Sequence, residues 1–219
     1  MAPKIKLYFL QASRSIRVSW LLEALDLEYD VIFSPRVNKV APAEFKEKVG
    51  GLGKSPTLID GDLTITESGN IIEYLCDTYD KGHKYLPASG DPKRYQVLQW
   101  VHASEGIFMT HALAITYARW FQKDGSVETT EEGIKGNVLK DMDYLQDCLE
   151  KNGGNWLCGK NLSVADMMLH FSVTFILARE LGTKGRQWSL VNHWIEDCEK
   201  EESYKKAVEK TGYDLSQPG

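Results

Sequence analysis

Three stretches within the first 75 residues carry side chains able to hold a charged ligand, each at an expected boundary between elements. Gln11-Ala12-Ser13-Arg14-Ser15-Ile16-Arg17 lies where a strand-like run gives way to a helical one. A hydroxyl there sits among helix N–H groups that lack carbonyl partners, at the positive end of the dipole, which suits an anion. The same residues also read as a capping serine, Ser13, with two solvated arginines. Gly53-Lys54-Ser55-Pro56-Thr57 places a proline, which has no N–H to give a ladder, at a strand start. With a cis Ser55–Pro56 bond, the Ser55 backbone N–H and C=O would turn outward and pair with a peptide-like ligand as a short added strand; with a trans bond the residues are an ordinary strand edge. In Thr66-Glu67-Ser68-Gly69-Asn70-Ile71-Ile72, Ser68 caps a helix whose N–H groups suit a carboxylate, and Glu67 is an acceptor for an ammonium. Together they match the two charges of an amino-acid head, although a plain cap beside a solvated glutamate has the same pattern. A fourth stretch, Ser163-Val164-Ala165-Asp166, is structural: a capping box, with Leu162 and Met167 as its hydrophobic staple.

The elements that must position these residues follow from periodicity. Ile5, Leu7 and Phe9 alternate with Lys4, Lys6 and Tyr8 as in a strand. Ile16, Trp20, Leu21, Ala24 and Leu25 form an apolar stripe at helical spacing, and Ser13 is its expected cap. Tyr29 to Phe33 is a second strand, and Pro42 opens a short helix. Thr57-Leu58-Ile59 and Leu63-Thr64-Ile65 flank Asp60-Gly61-Asp62 as a hairpin. A helix with Ile71, Ile72, Leu75 and Tyr79 completes the unit. The order βαβ, short helix, ββ, α predicts a four-stranded mixed sheet with a parallel first pair. From residue 92 on, helical periodicity dominates: 93–121, 134–151 with a stop at Gly153-Gly154, a helix opened by Ser163, then 188–200 and 203–210. The breaker-rich segment 81–91 has the composition of a linker.

Composition excludes several functions. Twenty-six Lys plus Arg face 31 Asp plus Glu, a net charge of −5. Without a basic block, phosphate neutralisation cannot drive nucleic-acid binding. No apolar run approaches the ~20 residues of a membrane span. Met1-Ala2-Pro3-Lys4 leads directly into the first strand, so no signal peptide is expected. Cys76, Cys148, Cys158 and Cys198 form no Cys-x-x-Cys pair, which suits a reducing, cytoplasmic setting. The five histidines lack ligand spacing, and no metal is expected.

Taken in order, the motifs Ser13-Arg14-Ser15-Ile16-Arg17 leading into Trp20-Leu21-Leu22-Glu23, Gly53-Lys54-Ser55-Pro56-Thr57-Leu58, Glu67 through Leu75, and the Ser163 box resemble the cytosolic glutathione S-transferases over nearly the whole chain. The resemblance implies an α/β thioredoxin-like N-terminal domain (1–80), a linker (81–91) and an all-α helical domain (92–219). It further implies a homodimer with no cofactor beyond glutathione as co-substrate. It implies a cis Pro56, pairing of the Ser55 backbone with the cysteinyl part of glutathione, capture of the γ-glutamyl group by Glu67 and Ser68, and Lys54 near the glycyl end. It also implies a role in detoxification of small hydrophobic electrophiles, with organic hydroperoxides as further substrates.

Family members activate the thiol with Tyr, Ser or Cys. Residues 1–75 contain no Cys, which leaves Tyr8, on the first strand, and Ser13. Ser13 is favoured for its place beside a helix N-terminus, with Ser15 and Arg14 as helpers. A free thiol has a pKa near 8.5, and helix N-termini and donors lower it by roughly 1–5 units. One departure from the family pattern is Val49-Gly50-Gly51, where Asn-Pro or His-Pro is common; it puts Lys54's role in question, with Lys48 as substitute. On the helical side, Glu105 is expected to reach the γ-glutamyl ammonium, and Phe108, Met109, His111, Ala112 and Ile115 to line the electrophile pocket, although a plain core stripe has the same spacing. The alternative is a non-catalytic member that binds ligands or partners.

Overall fold

The computed structural model describes residues 5–153 and 155–216. Lys4 of the expected first strand and Gly154 of the expected helix stop lie outside them. The chain forms two compact units, one of the residues up to Gly90 together with those from Glu199 on, the other Asp91–Cys198.

The first unit runs β1 (Ile5–Leu10), α1 (Ser15–Ala24), β2 (Tyr29–Ser34), α2 (Ala43–Val49), β3 (Thr57–Asp60), β4 (Leu63–Thr66) and α3 (Ser68–Tyr79). The sheet order is β2-β1-β3-β4. β2 lies parallel to β1, with Ile5 opposite Tyr29 and Leu10 opposite Ser34. β3 is antiparallel to β1, with Tyr8 opposite Thr57, and β4 is antiparallel to β3. The alternation read in β1 does its expected work: Leu7 and Phe9 are fully buried while Lys6 is exposed. α1 contributes Ile16, Trp20 and Leu21 to the same core, and α3 contributes Ile71, Ile72 and Leu75. Each such side chain stabilises the unit by roughly 1.5–3 kcal/mol relative to exposure.

Two boundaries differ from the sequence expectation. Residues 81–90 are not a loose linker: Tyr85 and Leu86 are buried, the Tyr85 backbone N–H donates to Asp80 Oδ2 at 2.8 Å, and its hydroxyl donates to the carbonyl of Ala24 at 3.1 Å. The C-terminal helix α9 (Glu202–Thr211) belongs to the first unit rather than to the helical one. It covers α1, where Trp20 Nε1 donates to Ser203 Oγ at 3.0 Å and the Trp20 and Tyr204 rings meet edge to face at 4.9 Å.

The helical unit contains α4 (Pro92–Ala103), α5 (Thr110–Phe121), α6 (Val127–Lys151), α7 (Val164–Ala178) and the start of α8 (Ser189–Lys200). The single helix expected over 93–121 is interrupted by a π-helical turn, Ser104–Met109. There the Ser104 hydroxyl donates to the carbonyl of Trp100 at 2.8 Å and the Thr110 hydroxyl to that of Glu105 at 2.9 Å, which re-satisfies carbonyls in a widened turn. α6 starts seven residues earlier than periodicity suggests, capped by Ser126, whose Oγ accepts from Thr129 N–H at 3.1 Å. The box at α7 forms as expected and has a fully buried carboxylate at its centre. Asp166 accepts from Ser163 N–H (3.0 Å), Ser163 Oγ (2.9 Å), Leu157 N–H (3.0 Å) and Trp194 Nε1 (3.0 Å). Four donors on one buried carboxylate tie three segments of the unit together.

Candidate functional site

The turn that joins β1 to α1 is the centre of the site. α1 begins at Ser15, with Arg14 in the capping position and no side-chain cap bond, so Ser13 sits one residue earlier than expected. Its hydroxyl nevertheless meets the helix start, accepting from Ser15 N–H at 3.3 Å and donating to Ser15 Oγ at 3.1 Å. Ala12 holds a left-handed backbone, φ +49°, which delivers the turn. Ser13 is 5% exposed, so only an edge of it can meet a ligand; Ser15 is fully buried. Ser15, expected as a helper of Ser13, has no part of its side chain at the surface and meets Ser13 from inside. Arg14 is half-buried beside it.

The Ser55–Pro56 bond is cis, and the turn it makes is anchored through the Ser55 side chain. Ser55 Oγ donates to the carbonyl of Tyr8 at 2.9 Å, accepts from Leu10 N–H at 3.1 Å, and lies 2.6 Å from Ser15 Oγ. Sequence reasoning weighed only the Ser55 backbone; the hydroxyl gives no periodic signal. Lys54 is exposed, and its carbonyl accepts from Thr57 Oγ1 at 2.8 Å. Lys48, the substitute for Lys54, is exposed and joined to Glu44 at 2.7 Å, which raises the lysine's pKa and lowers the glutamate's.

The third stretch places Glu67 in the capping position of α3, exposed and with φ +67°. Ser68 is the first helical residue and does not cap; its buried hydroxyl accepts instead from Arg17 Nη1 at 3.1 Å. Strained non-glycine backbone is costly and collects where a ligand is held. Arg17, fully buried on α1, is a functional candidate that sequence reasoning quoted in a motif but assigned no role. Its signal is a cation inside the apolar run Ile16 to Leu22.

The first turn of α1 is thus the common neighbour. Ser15 reaches Ser55 across 40 residues of sequence, and Arg17 reaches Ser68 across 51. Tyr8 joins this assembly through its carbonyl, which also accepts from Ser15 Oγ at 3.1 Å. Its ring packs edge to face on Phe45 at 6.0 Å.

The helical unit treats its expected pocket residues differently. Phe108, Met109, Ala112 and Ile115 are core side chains, at most 1% exposed; of the four, Phe108 also borders an open cavity of about 430 Å³ that it shares with Trp100, Ile107 and Tyr144. His111 Nδ1 lies 2.6 Å from Asp141 Oδ2, whose carboxyl burial pushes up and the histidine pulls back. Glu105 is half-buried in the π-helical turn. The same helix ends in a cluster of aromatic rings, Tyr117, Trp120 and Phe121, with centroids 5.8–6.4 Å apart; Tyr117 and Phe121 are exposed.

Comparison with known proteins gives the family. Residues 7–84 match the family model "Glutathione S-transferase, N-terminal domain", and residues 110–210 match "Glutathione S-transferase, C-terminal domain". The chain is 27% identical to glutathione S-transferase 1 of Saccharomyces cerevisiae, over 95% of each chain. It is also 27% identical to glutathione S-transferase 3 of Schizosaccharomyces pombe, over 94% of this chain and 87% of that protein. A glutathione S-transferase structure from Actinobacillus pleuropneumoniae superposes with a TM-score of 0.81 at 29% identity, covering 96% of this chain and 94% of that one. The first unit is a thioredoxin-like α/β domain and the second is all-helical, as in those structures. The chain belongs to the glutathione S-transferase family.

Proposed function

We propose that this protein is a glutathione transferase of the Ser type: it binds glutathione on the first unit, stabilises its thiolate and presents it to an electrophilic carbon or a hydroperoxide oxygen. The observation that carries this reading is the convergence of Ser13, the cis Ser55–Pro56 turn and Ser68 on the first turn of α1. The Ser55 backbone pairs with the cysteinyl part of the peptide, and Glu67 and Ser68 take the charges of the γ-glutamyl group. Lys54 lies toward the glycyl end. The Ser13 hydroxyl donates to the sulfur, and a donor to an anion contributes about 1.5–3 kcal/mol, one to two units of thiol pKa. The protein supplies position and electrostatics while the peptide supplies the nucleophile. The electrophile side falls to Phe108, His111, Ala112 and Ile115 on the helical unit, where Phe108 borders an apolar cavity with Trp100, Ile107 and Tyr144. The protein works as a homodimer in the cytoplasm.

A second reading, binding without turnover, draws on the slight exposure of Ser13. Titrating the thiolate absorbance of bound glutathione against pH separates the two. A pKa lowered by about one unit or more in the wild type, returning toward the free value in Ser13→Ala but not in Tyr8→Phe, is expected. Turnover falls at least tenfold in Ser13→Ala, about 1.4 kcal/mol of barrier. The opposite pattern moves the role to Tyr8, and binding with an unshifted thiol selects the second reading.

A further inference from the structure

The three serine hydroxyls at the site form one chain. Ser13 Oγ lies 3.1 Å from Ser15 Oγ, and Ser15 Oγ lies 2.6 Å from Ser55 Oγ. Both Ser15 and Ser55 also reach the carbonyl of Tyr8, at 3.1 and 2.9 Å. Two backbone N–H groups pin the ends: that of Ser15 donates to Ser13 Oγ, and that of Leu10 donates to Ser55 Oγ. Ser13 touches the surface and Ser15 does not.

Either hydroxyl of the Ser15–Ser55 contact can be the donor, whereas Ser13 donates to Ser15; rotating the hydroxyl protons away from that direction reverses the chain without moving a heavy atom. In one direction Ser13 donates to Ser15, Ser15 to Ser55, and Ser55 to the Tyr8 carbonyl, and the Ser13 proton points inward. In the other, Ser15 donates to Ser13, and the Ser13 proton turns outward toward a bound anion. Ser13 Oγ then accepts from both the hydroxyl and the N–H of Ser15, and a hydroxyl that accepts two bonds is a stronger donor.

We propose that Ser15 is a positioning residue, whose buried hydroxyl sets the direction in which Ser13 presents its proton and couples it to the Ser55 turn that binds the peptide backbone. This inference rests on the reading of Ser13 as thiol activator. No covalent bond is made or broken in the switch: Ser13 keeps its proton, and the proton lost by the thiol leaves to solvent.

The test is the pKa of glutathione's thiol on the full-length protein, in wild type, Ser15→Ala, Ser55→Ala, Ser13→Ala and the Ser13→Ala/Ser15→Ala and Ser13→Ala/Ser55→Ala pairs. The cooperative share of one bond makes the expected rise in Ser15→Ala about 0.5 unit, roughly threefold less thiolate. The same Ser15 change in the Ser13→Ala background is expected to move the pKa no further, which loss of packing alone would not reproduce. Ser55→Ala leaves Ser15 in place and is expected to give a smaller rise that likewise vanishes without Ser13; it carries the test if Ser15→Ala does not fold. An unchanged pKa in the folded single variants, or an equal rise with and without Ser13, overturns the proposal while leaving the transferase reading intact. A wild-type protein that binds glutathione with an unshifted thiol overturns both.

Discussion

The guanidinium of Arg17 donates through Nη1 to the hydroxyl of Ser68 at 3.1 Å, with both side chains buried. A cation under the first residue of α3 adds to the positive end of that helix, so an anion at Ser68 meets charge as well as dipole. Arg17→Met keeps most of the stem's volume and removes the charge. Its expected effect is a glutathione Kd at least about tenfold weaker, the lower end for a charged hydrogen bond, with a much smaller change in kcat at saturation. Calorimetric titration checks the first and steady-state kinetics the second. A variant that folds and binds as tightly as wild type would reduce Arg17 to a structural role.

Gly53 lies in the turn before Lys54 and Ser55, where the proposed function puts the other end of the peptide. Its φ is +61°, and a Cβ there would lie 2.8 Å from Lys46 Cβ and 2.9 Å from Lys46 Cγ on α2. Gly53→Ala must therefore push the turn carrying Lys54 and Ser55 away from α2, against a backbone conformation that L residues disfavour. The KM for glutathione is expected to rise several-fold, on the scale of a strained residue, about 1–2 kcal/mol, while the KM for the electrophile stays near wild type. Equal changes in both would place the effect elsewhere.

The elements that read cleanly from the sequence are those with a strong period and a matching cap. β1, the β3–β4 hairpin and α7 with its Ser163–Asp166 box fall where alternation, Asp60-Gly61-Asp62 and capping chemistry put them. What escaped was set by distant partners. No local signal tells Ser15 that Ser55 lies 2.6 Å away, nor that α9 folds back onto Trp20. Helical spacing marked Phe108, Ala112 and Ile115 equally as core or as pocket wall, and only packing separates the two. The π-helical turn at Ser104–Met109 keeps an apolar period on both sides and so is invisible to it.

In the helical unit, Glu131 gathers donors from two segments. Arg119 binds it in a fork, Nε to Oε2 at 2.9 Å and Nη2 to Oε1 at 2.6 Å, and Gly182 N–H donates to Oε1 at 3.1 Å. Arg119 also donates to the carbonyls of Arg179 and Glu180, just beyond the end of α7. Arg119 holds the Glu131 carboxyl below its ordinary value of 4.5. A folded pKa below the unfolded one stabilises above the unfolded value, and that contribution is lost as pH falls through the folded one. Glu131→Gln is expected to cost about 1–3 kcal/mol at pH 7, and its difference from wild type should shrink as pH drops below 4.5. Denaturant melts at pH 7 and at acid pH test this; a constant difference would show that Glu131 acts by shape alone.

The C-terminal segment supports the first unit from behind α1. Besides Trp20, α9 reaches α1 through Lys210, 3.3 Å from Glu23 Oε1 and over the Tyr29 ring at 3.5 Å. Tyr213 packs edge to face on Phe9, 6.5 Å between centroids. Phe9 is the residue after Tyr8, and Trp20 lies on the helix that starts at Ser15, so the segment bears directly on the elements that carry the serine chain. Ending the chain after Lys200 exposes Trp20 and removes the buried Tyr204, Ala207 and Tyr213, at an expected cost of about 3 kcal/mol or more. Amide exchange should speed up in β1 and α1 and stay near wild type in α6 and α7, which belong to the other unit. Protection retained across β1 and α1 in the shortened chain would mean that the first unit holds its site without α9.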